Sequence, residues 1–115
     1  MTPDMQELLR AEATESHAAE AIALFCYQAK KFLGAFAAVL GGLDVLIFTG
    51  GIGENAPEIR ERICEGLEFL GICLDPAANN ENRGIISGPD APVTVRVMKT
   101  DEDLMVARHA LRLIN

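Results

Sequence analysis

The stretch Asp44 to Glu58, DVLIFTGGIGENAPE, constrains the fold of this chain more than any other. Val45-Leu46-Ile47-Phe48 is a continuous β-branched, aliphatic and aromatic run, which reads as a strand buried on both faces. Gly50, Gly51 and Gly53 then form a turn, and Asn55-Ala56-Pro57-Glu58 opens a helix. Asn55 can cap it, Pro57 suits its first turn, and Glu58 completes a capping box, so a helix is expected from about Ala56. A fully buried strand that passes straight into a helix needs helices packed over its sheet, which points to α/β layers.

The flanking segments fit that architecture. Asp4 to Ala13 reads as a short helix, interrupted over Thr14 to Ser16 by residues that prefer caps and turns. From about Glu15 to Leu40, the positions Ala18, Ala21, Ile22, Phe25, Ala29, Phe32, Leu33, Phe36 and Val39 recur at helical steps, which predicts one long helix facing a core. Gly41 and Gly42 stop it. The helix after the glycine turn carries Ile59, Ile63, Leu67 and Leu70 on one stripe and is expected to run for about four turns to Gly71. Ala77 to Arg83 reads as a polar surface loop. Ile85-Ile86 and Val93 to Met98 read as strands separated by Gly88-Pro89-Asp90. Thr100 or Asp101 can cap a final helix over about 101–114, with Leu104, Ala107, Leu111 and Ile114 on one face. The 115 residues therefore predict one domain or part of one.

Charge and cysteine usage narrow the function. The net charge of -7, from 17 acidic against 10 scattered basic residues, disfavours nucleic acid as a partner. No signal-peptide order is visible, and the apolar run Phe32 to Leu43 is too short to span a bilayer, so a cytoplasmic chain without a membrane partner is expected. Cys26, Cys64 and Cys73 form no C-x-x-C pair and sit among aliphatic residues, which predicts buried reduced thiols. His17 and His109 lie far apart, without a second ligand at helical spacing, and read as solvent-facing.

The glycine turn is the part with chemistry. The first backbone N–H groups of a helix have no internal partner, and the helix dipole places partial positive charge there. An anion can bind at such a terminus without lysine or arginine, and glycines let the main chain approach it. Two rival readings stand beside this one. The glycines can serve only to shape a tight turn. Alternatively, Gly51, Gly53 and Ala56 satisfy the G-x-G-x-x-G/A dinucleotide fingerprint, with Asp75 about where a ribose-binding acid would stand. The fingerprint is the weaker, because a long helix precedes the motif and Glu54 would set a carboxylate near a pyrophosphate.

FTGGIGENAPEIRERICEGLEFLGICLD, followed by NNENRGIISGPDAPVTVRVMKTDEDLMVAR, resembles the C-terminal part of acetate kinases across nearly the whole chain. The resemblance implies residues 1–115 as a C-terminal nucleotide-binding fragment with a partial actin-like ATPase (ribonuclease H-like) domain, a mixed sheet and flanking helices. It implies a two-domain kinase that moves the ATP γ-phosphoryl group to acetate, with propionate often accepted, and that forms homodimers through this domain. By that likeness Gly51, Ile52, Gly53, Glu54 and Asn55 bind ATP, Asp4, Met5 and Gln6 match a second nucleotide segment, and Glu102 helps hold Mg2+. Gln6 stands where the family usually has arginine, so a planar cation is replaced by a neutral amide. The opening MTPDMQ resembles entry into the family's Ser-x-Asp-Met-Arg region, which implies that Met1 is an internal or introduced start rather than a natural one. No catalytic residue of the family falls in this segment, so the isolated chain is expected to be inactive. The alternative is a non-catalytic nucleotide-binding or dimerisation module.

Overall fold

A computed structural model describes residues 5–49, 56–98 and 110–113. Helix α1 (Met5–Ala11) leads through a turn into the long α2 (Ser16–Leu40), which ends at Gly41 with the Gly41 N–H bonded to the Ala37 carbonyl. Strand β1 (Val45–Phe48) follows, then α3 (Pro57–Cys64), a single 3-10 turn (Glu68–Leu70), α4 (Pro76–Asn80), and strands β2 (Thr94–Val97) and β3 (Ala110–Leu113). The sheet order is β2-β1-β3, with β1 parallel to both neighbours. The class is α/β, as the continuous apolar run requires. Antiparallel pairing, expected in a mixed sheet, is confined among the described residues to bridges Leu74–Ser87 and Ile85–Arg96.

β1 is buried on both faces, the property its sequence predicts. Leu46 and Phe48 join the main core, while Ile47, on the opposite face, is also buried. The core face of α2 contributes Ile22, Cys26, Leu33 and Ala37, and α3 adds Ile59 and Ile63. The alternation expected of the second strand appears as buried Val93 and Val95 with exposed Arg96. Lys30 of α2 donates from Nζ to the Glu65 carbonyl at 2.6 Å, a cation placed at the C-terminal end of α3.

Several expectations are corrected. Phe32, Phe36 and Val39 do not reach the core: with Leu24 and Tyr27 they form an exposed apolar stripe, Val39 at 82% exposure. α2 is apolar on more than one face, and only one face meets the described core. By length and composition it could also cross a bilayer, which the short Phe32 to Leu43 run does not anticipate. Its buried face makes it equally the core helix of a folded domain.

α3 stops at Cys64 rather than Gly71, because Gly66 takes a left-handed φ of 83° that a continuing helix cannot include. The apolar stripe persists through the 3-10 turn, so Leu67 is still buried. Gly71 ends that turn at φ 90°, where an added β-carbon would meet the Pro92 Cβ at 3.0 Å. The expected loop over Ala77 to Arg83 begins as α4, since the Asp75 side chain caps it and Pro76 occupies its first position. The expected strand at Ile85-Ile86 is reduced to bridging: the Ile86 N–H donates to the Val95 carbonyl at 2.9 Å.

Ala110–Leu113 is extended, not helical; the rest of the helix expected over about 101–114 lies outside the described residues. The physical reason is the second edge of β1, whose backbone groups gain partners from this strand. Cys26 and Cys64 are buried free thiols as expected, whereas Cys73 is exposed. Burial pushes the Cys64 thiol up to about 12, so it is held as the unreactive protonated form. His17 is exposed, and His109 lies outside the described residues.

Candidate functional site

The parallel register of β1 and β2 decides where the motif segments emerge. Phe48 pairs with Val97, and the Met98 N–H donates to the Phe48 carbonyl at 3.0 Å. Thr49 and Met98 therefore leave adjacent strands at the same, C-terminal end of the sheet. From Thr49 the chain enters the glycine segment, and from Met98 it enters the segment that carries Glu102. In open α/β sheets, ligands bind outside the carboxyl ends of the strands.

The glycine segment is anchored at both ends by buried residues, Thr49 on the strand side and Ala56 on the helix side. Ala56 is the N-cap residue of α3, and Pro57 fills its first helical position. This corrects the predicted capping box, since with Ala56 at the cap Glu58 falls at the second helical position rather than the third. Alanine has no side-chain acceptor to offer the first turn, where Pro57 has no N–H and the Ile59 N–H donates to the Ala56 carbonyl at 3.0 Å.

Gly51, Ile52, Gly53, Glu54 and Asn55 lie outside the described residues, as do Asp4 and Glu102. Met5 and Gln6 open α1, and their side chains too lie outside the described residues. The structure thus fixes the two ends of the glycine segment and the exit toward Glu102. Among the described residues no group of three or more His, Cys, Asp and Glu could hold a metal ion. A magnesium ion carried by nucleotide phosphates asks for only one or two carboxylates.

Asp75 accepts from the Ala77 N–H at 3.1 Å and is engaged in capping α4. A separate cleft of about 500 Å3 runs along α3 and α4, where Glu58, Glu61, Glu65 and Glu68 outnumber Arg62. That balance repels phosphates. Arg62 is itself held by Glu12 at 2.8 Å and 2.9 Å, a paired contact that ties the end of α1 to α3. The guanidinium holds the Glu12 carboxyl below its ordinary value, so the pair is complete above the carboxylate range and is lost as pH falls through that lowered value.

Sequence reasoning missed one polar group at the start of α3. Arg60 is fully buried, with Nε donating to Asn79 Oδ1 at 2.8 Å and Nη2 to the Asn79 carbonyl at 2.7 Å. Nη2 also donates to Asn82 Oδ1 at 2.6 Å. The signal available was an arginine beside the apolar stripe of α3 and an asparagine-rich segment downstream; nothing local joins the two.

The model of the acetokinase family matches residues 1–108. An acetate kinase of Rhodopseudomonas palustris is 52% identical over 115 residues, covering 98% of this chain and 28% of that protein. An acetate kinase of Coprothermobacter proteolyticus is 52% identical over 104 residues, covering 89% and 26%. The crystal structure of Porphyromonas gingivalis acetate kinase superposes with a TM-score of 0.80 at 43% identity, over 87% of this chain and 26% of that one. A propionate kinase from Francisella tularensis gives 0.77 at 36% identity, over 92% and 28%. The chain thus spans little more than a quarter of the length of these relatives.

Proposed function

Because this chain belongs to the acetokinase family, we propose that it supplies the phosphate-binding wall of an ATP site in a kinase acting on a small carboxylate. Its fold is part of an actin-like ATPase domain. The observation that carries the reading is the shared exit of the glycine segment and the Glu102 segment from neighbouring parallel strands. Amides of Gly51 to Asn55 and the first turn of α3 would hold the phosphates, and Glu102 a magnesium ion bridging them. Asp4, Met5 and Gln6 would meet the nucleotide at a second point, Gln6 as a neutral hydrogen-bonding amide.

In the proposed reaction an acetate or propionate oxygen attacks the γ-phosphorus of ATP. A new P–O bond forms as the bond to the β-phosphate oxygen breaks, and ADP leaves. This transfer needs charge stabilisation around an in-line transition state. Those groups, and the carboxylate pocket, are assigned to the remaining length of the relatives. Residues 1–115 are then one nucleotide-binding unit of a cytoplasmic enzyme, a half-site that binds but does not turn over. The exposed stripe of Leu24, Tyr27, Phe32, Phe36 and Val39 supports pairing of two copies along α2, and a purely assembling module is the second reading.

The test is acetyl phosphate formation from ATP, magnesium and acetate, trapped with hydroxylamine. The 115-residue chain alone is expected to give no product above background. Turnover by the chain alone would overturn the half-site assignment.

A further inference from the structure

Arg60 is one of the largest fully buried side chains, and a buried guanidinium is retained only where its donors are met by well-placed acceptors. Burial lowers its pKa from the ordinary value, yet arginine keeps its charge in proteins. Three of its hydrogen bonds converge on the C-terminal end of α4 and the turn beyond it, where helix carbonyls carry partial negative charge. The Asn79 side chain, itself buried, then closes the loop. Its Nδ2 donates to the Pro57 carbonyl at 3.0 Å, in the first turn of the helix that carries Arg60.

The result is a closed circuit: Arg60 to Asn79 and Asn82, and Asn79 back to Pro57. It grips the first turn of α3, whose Ile59 and Arg60 N–H groups both donate to the Ala56 carbonyl, at 3.0 Å and 3.2 Å. Ala56 is also the residue that receives the chain from the glycine segment. Asn82 sits at φ 52°, the one non-glycine residue with positive φ among the described residues. An asparagine tolerates this conformation and offers Arg60 an acceptor, which glycine there could not.

We propose that Arg60, acting through Asn79 and Asn82, is a positioning residue for nucleotide binding: it fixes the start of α3, the helix that receives the chain from the glycine segment. This rests on the nucleotide-loop reading above. Arg60 touches no reacting atom in this scheme; it acts through the helix start that it holds.

Asn82→Gly tests it in the full 115-residue chain, since glycine accepts the positive φ while the Oδ1 acceptor is removed. The expected result is an unchanged fold by circular dichroism and faster amide exchange in residues 58–60. ATP–magnesium binding by calorimetry should be roughly tenfold weaker. Asn82→Asp, which keeps an acceptor and tolerates the turn, should restore both readouts. Arg60→Lys should not, because an ammonium cannot reproduce the fork that reaches two asparagines. Equal ATP binding by Asn82→Gly and the unaltered chain would overturn this role alone, as would global unfolding of Asn82→Gly. Absence of binding by the unaltered chain would overturn the loop reading and this role with it.

Discussion

A Phe48→Ala chain is expected to lose about 3–5 kcal/mol of stability, the usual cost of removing a fully buried aromatic side chain from a core that only partly collapses. Phe48 is 2% exposed and lies on the central strand, paired to Val97 on one side and Leu113 on the other. It belongs to the same cluster as Ile22 and Leu33 of α2 and Ile59 and Ile63 of α3. A domain of this size is stable by only about 5–15 kcal/mol, so the substitution should shift a urea transition far toward unfolding or abolish it. Phe69→Ala is the control: that ring is 79% exposed, and its loss should change stability by no more than about 0.5 kcal/mol. Equal costs at the two positions would refute the placement of the core.

Gly53→Val should weaken ATP–magnesium binding by at least about tenfold, equivalent to about 1.4 kcal/mol. The argument is steric. Backbone amides bind phosphate only when the anion can approach the main chain, and glycine leaves that approach open. A β-branched side chain in the middle of the segment would obstruct that approach. The described core is built from residues on either side of this segment, so circular dichroism and melting temperature should stay close to those of the unaltered chain. Undiminished heat in a calorimetric titration of the valine variant would separate the glycines from nucleotide binding and leave them as turn formers.

How much of this was legible in the sequence depends on how local each cause is. β1, both ends of α2 and the opening of α3 at Pro57 follow from adjacent residues, and each is found within a residue or two of its expected place. The end of α3 is not of this kind. Ile59, Ile63, Leu67 and Leu70 keep helical spacing across the break, so periodicity conceals the left-handed turn at Gly66. The Asp75-Pro76 start of α4 was readable as a cap and first turn, but the asparagines after it argue for a loop.

Periodicity also cannot say which apolar stripe of α2 meets the core, so Phe32 and Phe36 look internal and are exposed. Ala110–Leu113 satisfies a helical pattern equally well and becomes a strand because of an edge supplied by β1, 65 positions away in the register pair Val45↔Ala110 (110 − 45 = 65). The site divides in the same manner. The glycine segment, the proposed site, stands out in the sequence because a strand and a helix start flank it, and both are found. Arg60 and its asparagines are 19 and 22 residues apart, and their meeting is a product of tertiary packing that no local rule predicts.

The claim on which the account stands is that nucleotide phosphates are gripped where β1 passes into α3. It is tested most directly by backbone amide NMR of the 115-residue chain during titration with ATP and magnesium. The expected result is saturable shifts centred on residues 50–58, with a second group near Lys99 to Glu102 and little change along the exposed stripe of α2. Shifts confined to other parts of the chain, or none at about millimolar nucleotide, would contradict it.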